Sequence, residues 1–145
     1  MIIGIGSDLV DIRRIEDLIA RFGQRFLCRV FTAQERGRCL ARARPGASFA
    51  KRFAAKEACA KALGTGLAGG VSWQDMEVVS GESGAPLLHL AGGAASRLAG
   101  LVPEGLAARV HVTLTDEYPL AHALVMISAE SSCQSEAIQF TQGRS

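Results

Sequence analysis

Asp8 is the first residue of this sequence whose surroundings suggest chemistry. It closes the stretch Gly4-Ile5-Gly6-Ser7-Asp8, in which two glycines leave room for a ligand to approach the backbone closely. A dinucleotide-binding fingerprint would need a third glycine at position 9, which is Leu9, so a Rossmann-type site is excluded. Asp8 can therefore serve a ligand at the end of a short strand, and it is equally compatible with capping the helix that follows.

Glu57 and Lys61 form a second constellation, because residues four apart lie on one face of a helix. Ala50 and Ala54 continue that face with little bulk, which leaves room for a large charged ligand. The alternative is an exposed Glu57–Lys61 ion pair worth a few tenths of a kcal/mol. In the turn that follows, Gly64-Thr65-Gly66, backbone N–H groups can face a phosphate, although a helix C-cap explains Gly64 equally well.

The elements around Asp8 are predicted from hydrophobic spacing. Residues 1–9 are apolar and predict a buried strand. A helix follows, with a core face formed by Ile12, Ile15, Leu18, Ile19 and Phe22. A different, solvated face of that helix carries Arg14, Arg21 and Arg25.

The element that carries Glu57 is the strongest helix prediction. A capping box at Thr32-Ala33-Gln34-Glu35 predicts an earlier helix, which should fade by Pro45-Gly46. The helix of Glu57 should then run from about Ser48 through Leu63 and end at Gly64.

The second half of the chain predicts strands. Residues 76–79 and 86–90 form a hairpin, 94–101 a short helix, and 109–114 and 121–127 two further strands. The predicted fold class is α+β, an antiparallel sheet with the main helices packed on one face. Residues 1–129 form one domain, and residues 130–145 a polar C-terminal tail.

Charge and composition narrow the function. Residues 1–61 hold 13 Lys/Arg against 6 Asp/Glu, a net charge of +7, which indicates an anionic partner or ligand. One Trp and one Tyr give little material for stacking bases, so nucleic acid is disfavoured. No segment is apolar enough for a membrane, and no basic region precedes the apolar start, so we expect a cytoplasmic protein. A zinc site is disfavoured because no C-x-x-C pair occurs among Cys28, Cys39, Cys59 and Cys133.

These motifs together resemble one family. The family pattern is carried by Gly4-x-Gly6-x-Asp8, Arg14-Ile15-Glu16, the run from Arg52 to Ala58, and the run from Lys61 to Gly66. Gly84-x-Pro86 and His111-Val112-Thr113-Leu114 also match, so the resemblance to the holo-acyl-carrier-protein synthases covers roughly residues 2–129. These are small bacterial 4′-phosphopantetheinyl transferases.

The resemblance implies a Mg²⁺-dependent transfer of phosphopantetheine from coenzyme A to a serine of an acidic acyl carrier protein. It implies a homotrimer with active sites between subunits. Asp8 and Glu57 would be the metal carboxylates, and Glu57 and Lys61 catalytic residues. Glu35 is a candidate base, although its capping role is the stronger hypothesis.

The remaining implied residues bind coenzyme A or the carrier. The coenzyme A set is Arg52, Lys61, Gly64, Thr65, Gly66 and His111. The carrier set is Arg14, Arg21 and Arg25. The chain departs from the family at Thr115-Asp116-Glu117, where many members have Ser-His, so a second histidine there has no counterpart. Two rival functions remain: a carrier-binding module without turnover, and a nucleic-acid-binding protein.

Overall fold

The structure, a computed structural model, describes residues 1–132. A three-stranded antiparallel sheet of order β1-β5-β4 forms one layer, a two-stranded hairpin pairs β2 with β3, and the helices pack on one side. The predicted α+β class is confirmed. The elements are β1 (Ile2–Asp11), α1 (Ile12–Phe22), α2 (Gln24–Val30), α3 (Ala33–Leu40), α4 (Pro45–Ala62), β2 (Met76–Ser80), β3 (Pro86–Leu90), α5 (Gly92–Leu101), β4 (Leu106–Glu117) and β5 (Leu120–Ser131).

The N-terminal strand exists as predicted, but its prediction as a buried strand is wrong. Among the strands of residues 1–132, β1 lies at the edge of the sheet and pairs with β5 alone, and one of its faces lies against α4. On the opposite face Ile5 and Leu9 are each 62% exposed. The apolar sequence of β1 therefore does not mean that this strand is buried within its own chain.

Two helix boundaries differ from the predictions. α1 ends at Gly23, whose φ of 54° breaks the helix, so Arg25 belongs to α2 and not to the helix of Arg14 and Arg21. Pro45 does not end a helix but begins α4, where its missing N–H costs no hydrogen bond. The capping box at Thr32 is present as predicted and starts α3.

The C-terminal boundary also differs. β5 continues to Ser131, because Ala107 and Leu106 of β4 still pair with Glu130 and Ser131. The predicted tail thus begins later than residue 130, and residues 133–145 lie outside the described residues. Over residues 1–132, no helix is both long and apolar enough to span a membrane.

Candidate active site

The two glycines before Asp8 allow β1 to lie directly on α4. A Cβ placed on Gly4 would collide with the carbonyl oxygen of Ala62, and one on Gly6 with that of Ala58. Their predicted role, space for a ligand, is therefore wrong: the space is filled by the helix backbone. This close packing brings Asp8 beside the face of α4 that carries Glu57 and Lys61.

The closest pair in this cluster joins the strand to the helix. Lys61 Nζ donates to Asp8 Oδ1 at 3.0 Å and to the carbonyl oxygen of Ser7 at 2.9 Å. The alternative, an ion pair between Glu57 and Lys61, does not occur within residues 1–132, where Lys61 pairs with Asp8 instead. The Lys61 side chain is 51% exposed and that of Asp8 only 17%, so the ammonium group can move away while the carboxylate stays in place.

Glu57 is the third charged residue of this cluster, and its carboxyl group interacts with the charges of Asp8 and Lys61. Burial raises the pKa of its carboxyl group, and the nearby negative charge of Asp8 raises it further, while Lys61 and Arg14 act in the opposite sense. Two partly buried carboxylates that repel each other are a donor set that a divalent cation stabilises. Within residues 1–132 no group of three or more His, Cys, Asp or Glu side chains is arranged for a metal. Two carboxylates alone fit Mg²⁺, which keeps several waters and takes substrate phosphate oxygens.

Glu35 does not join this cluster, so its candidacy as a base is not supported by its position. Its side chain is fully buried, and Oε1 accepts hydrogen bonds from the Thr32 N–H at 3.0 Å and from Lys56 Nζ at 2.6 Å. Oε2 accepts from the Val78 N–H at 3.0 Å. The capping hypothesis is confirmed, and Glu35 additionally ties α3 to α4 through the buried Lys56 and to β2 through the Val78 N–H.

The turn after α4 is a helix C-cap. Gly64 and Gly66 have φ of 77° and 61°, and their N–H groups bond to the carbonyl oxygens of Lys61 and Ala60. The prediction that these two amides face a phosphate is therefore wrong, because the helix end uses them. Thr65 lies between them, and its hydroxyl donates to the Gly66 carbonyl oxygen.

Arg52 lies in a second charged site, which we call the basic pocket. Its side chain is buried, Nη1 donates to Ser48 Oγ at 2.7 Å, and Nε has no hydrogen-bond partner within residues 1–132. A buried guanidinium N–H needs a hydrogen-bond acceptor, and a bound anion or water would supply one. The cavity of about 480 Å³ is lined by the α3–α4 connection, α4, the hairpin and the end of β4. Its other cations are Arg42, Arg44 and Lys51, which the sequence analysis did not single out. Only the +7 charge of this half gave a signal for them.

His111 lies on the other side of the sheet from the carboxylate cluster. Side chains alternate along β4, and Val110 and Val112 pack toward the helices, so His111 faces away, hydrogen-bonded to Ser128 Oγ at 3.1 Å. It therefore cannot meet Glu57 of its own chain. The expectation that another subunit completes the site stays a prediction.

The three arginines of the expected carrier surface are all exposed. Arg14 and Arg21 line one shallow groove of α1, and Arg25 lines the adjoining groove between α1 and α2. Arg14 also lies 5.8 Å over the Phe53 ring of α4 and acts on the pKa of Glu57. The surface is thus continuous with the carboxylate cluster.

Comparison with known proteins places this geometry in a family. The profile of the 4′-phosphopantetheinyl transferase superfamily matches residues 4–122. A holo-[acyl-carrier-protein] synthase of Methylobacterium sp. (strain 4-46) is 64% identical over 92% of this chain and 100% of its own length. That of Rhizobium rhizogenes is 60% identical over 89% of this chain and 96% of its own length.

Solved structures agree. The holo-[acyl-carrier-protein] synthase of Neisseria meningitidis is 38% identical with a TM-score of 0.76, covering 88% of this chain and 99% of its own. The Helicobacter pylori enzyme in complex with coenzyme A is 30% identical with a TM-score of 0.73, covering 86% and 99%. From the shared profile, the identities and the fold, the chain belongs to the 4′-phosphopantetheinyl transferase superfamily, in its holo-[acyl-carrier-protein] synthase family.

Proposed function

We propose that this chain transfers the 4′-phosphopantetheine arm of coenzyme A to a serine of an apo-acyl carrier protein. The products are holo-acyl carrier protein and adenosine 3′,5′-bisphosphate. The observation that carries the proposal is the convergence of Asp8, Glu57 and Lys61 from two elements at one partly exposed place. Named relatives with the same activity, two of them solved with coenzyme A or its 3′,5′-ADP part, support it.

The reaction is a displacement at phosphorus. The serine hydroxyl oxygen forms a bond to the phosphorus that carries pantetheine, the bond from that phosphorus to the bridging oxygen breaks, and the bisphosphate leaves with that oxygen. Lys61, whose ammonium group can move off Asp8, stabilises the negative charge of the phosphate oxygens. The serine hydroxyl gives up its proton as this bond forms, to a carboxylate of the cluster or to an ordered water.

A divalent cation, Mg²⁺, belongs to this proposal. Asp8 and Glu57 would hold it, since oxygen donors suit Mg²⁺ and two close carboxylates need a positive charge between them. When bound, it would offset charge on the pyrophosphate.

Coenzyme A carries a second anionic group, the 3′-phosphate of its ribose, which needs its own partner. The basic pocket supplies one, because four cationic side chains line it and Arg52 Nε has no hydrogen-bond partner among the described residues. This pocket adjoins β4, at the opposite edge of the sheet from Asp8 on β1. One molecule of coenzyme A would therefore span the carboxylate cluster of one subunit and the basic pocket of the next.

A homotrimer brings those two edges together. The face of the sheet turned away from α4 exposes apolar side chains on neighbouring strands, including Ile5, Leu9, Leu120 and Leu124. A contiguous exposed apolar surface of this kind is typical of a subunit interface. His111 lies on the same face, and its row across the sheet is Ile5–Met126–His111.

The carrier protein would dock on α1 and α2. Arg14, Arg21 and Arg25 offer positive charge to an acidic helix, and the adjoining Leu18 and Phe22 offer apolar contact. We expect the reaction in the cytoplasm, where coenzyme A and carrier protein meet.

The test is mass spectrometry of purified apo-acyl carrier protein incubated with coenzyme A and this chain. The proposal predicts a mass gain of one phosphopantetheine with Mg²⁺ and none with EDTA. An unchanged carrier mass under both conditions would leave the rival of a carrier-binding module without turnover.

A further inference from the structure

One acidic side chain, Asp116, enters the basic pocket. Among the described residues that line this cavity, it is the one carboxylate, set against Arg42, Arg44, Lys51 and Arg52. Its Oδ1 lies 2.8 Å from Lys51 Nζ, and each of the two side chains is about one-third exposed. An ion pair this exposed adds little to stability, so Asp116 is not needed to hold the fold.

Asp116 and a bound phosphate would compete for the same cation. Lys51, Arg52 and Asp116 all line the cavity, so an anion bound there lies close to the Lys51–Asp116 pair. The carboxylate repels that anion and also neutralises Lys51, and both effects weaken binding. The carboxylate therefore lowers the positive charge of a pocket that otherwise contains four cations.

We propose that Asp116 is a specificity-determining residue that limits how strongly the basic pocket holds the 3′-phosphate of coenzyme A. The inference rests on the proposed function, which places that phosphate in this pocket. Asp116 reduces the preference for coenzyme A over its dephospho form. It also eases release of the product adenosine 3′,5′-bisphosphate, which keeps the same phosphate.

The test is calorimetric binding of coenzyme A and of dephospho-coenzyme A to the full chain, without carrier protein. Asp116→Asn keeps the shape and an oxygen that accepts from Lys51, but removes the charge. We expect its Kd for coenzyme A to fall about threefold to tenfold, as for removal of one nearby like charge. The Kd for dephospho-coenzyme A should change by less than about twofold. The gain should shrink in high salt, and in a Lys51→Met background it should be smaller, because only the direct repulsion between Asp116 and the anion is then relieved.

Glu117→Gln is the matched control. Glu117 is the next residue of β4, points to the other side of the strand and does not line the pocket, yet the change in net charge is the same. Unchanged or weaker binding of coenzyme A by Asp116→Asn would overturn the inference. An equal gain for dephospho-coenzyme A, or an equal gain from Glu117→Gln, would overturn it as well. Because no turnover is needed, a chain that binds coenzyme A without transferring its arm would refute the proposed function and leave this test intact.

Discussion

At the scale of single residues, the contact that organises the site joins Lys61 Nζ to Asp8 Oδ1 across 53 positions of sequence. Helical spacing predicted that Glu57 and Lys61 share a face, but spacing alone favoured their mutual ion pair. Which carboxylate Lys61 meets depends on how β1 packs on α4, and no local pattern contains that information. Before the structure, only the family resemblance predicted that Asp8 and Glu57 lie at one site.

Lys61→Met tests the catalytic role of that ammonium group. The variant keeps the apolar stem and loses the charge, so kcat should fall about 10²-fold to 10³-fold, as for loss of one preorganised charge at a transition state. The free energy of unfolding should change by less than about 1 kcal/mol, because a half-exposed ion pair contributes little. Steady-state kinetics and urea denaturation measure both. A kcat within about threefold of wild type would contradict the catalytic role and leave Lys61 only as the ion-pair partner of Asp8.

Cys59 gives a prediction about pH. It is fully buried, and burial raises the pKa of its thiol from 9.0 to about 12. Between these values the unfolded chain releases the thiol proton and the folded chain retains it. Stability contributed by Cys59 is therefore complete below pH 9 and falls as pH rises toward 12, by up to about 1.4 kcal/mol per pH unit.

Denaturation under reducing conditions at pH 8, 9 and 10 measures this slope. In Cys59→Ala that part of the loss should vanish, whereas Cys28→Ala, at an exposed thiol, should keep the wild-type slope. Identical slopes in wild type and Cys59→Ala would contradict the assignment.

At the scale of elements, α4 was the strongest helix prediction from the sequence. Its C-terminal end was predicted correctly, but its start was placed too late. Its C-terminal end at Gly64 follows from glycine chemistry and was predicted, whereas Pro45 is ambiguous, since proline both follows and begins helices. The glycines of β1 were visible too, but whether a ligand or a helix fills the space beside a glycine is decided by tertiary packing.

Gly6→Ala tests the close approach of β1 to α4. The new Cβ would collide with the backbone of α4, so we expect a loss of at least about 2 kcal/mol in the free energy of unfolding, with transfer activity falling as Asp8 moves. Gly37→Ala, inside α3 with open space around the added atom, is the control and should instead stabilise by about 0.5–1 kcal/mol. Equal effects of the two substitutions in denaturation would contradict the packing account.

The basic surface of α1 and α2 is tested with Arg21→Glu. This residue is a cleaner choice than Arg14, which also influences Glu57. We expect KM for the carrier protein to rise at least about fivefold while KM for coenzyme A stays constant, because charges at an interface act on encounter and partner choice. Arg38→Glu, the same charge change on α3, should leave both constants unchanged. A parallel rise in the two KM values for Arg21→Glu would argue against a docking surface.

At the scale of the whole molecule, the far face of the sheet exposes apolar side chains, and the proposed homotrimer would cover them. The sequence of β1 is as apolar as a buried strand, yet Ile5 and Leu9 are exposed. Sequence alone predicted a buried β1, because an apolar pattern contains no information on which surface covers the strand. The carboxylate cluster and the basic pocket lie at opposite edges of the sheet. This placement also supports the proposed homotrimer, because a ring of subunits brings opposite edges into contact.

Leu124→Asp places a charge in the middle of that face. We expect wild type to have three times the chain mass by light scattering, and the variant to have the mass of one chain with strongly reduced transfer activity, because a buried unpaired charge is costly. Leu40→Asp, at an exposed leucine outside the sheet, should leave the mass unchanged. A wild-type protein that is monomeric yet fully active would contradict subunit-shared sites.

The central claim, that Asp8 and Glu57 act as one cation site for phosphopantetheine transfer, is tested most directly by the rate of carrier modification across a Mg²⁺ series. Mass spectrometry would follow the added arm for wild type, Asp8→Asn and Glu57→Gln, with circular dichroism to confirm that each variant folds. We predict a Mg²⁺-dependent rate for wild type and rates at least about a hundredfold lower for both variants at every Mg²⁺ concentration. Wild-type rates in either folded variant would contradict the claim.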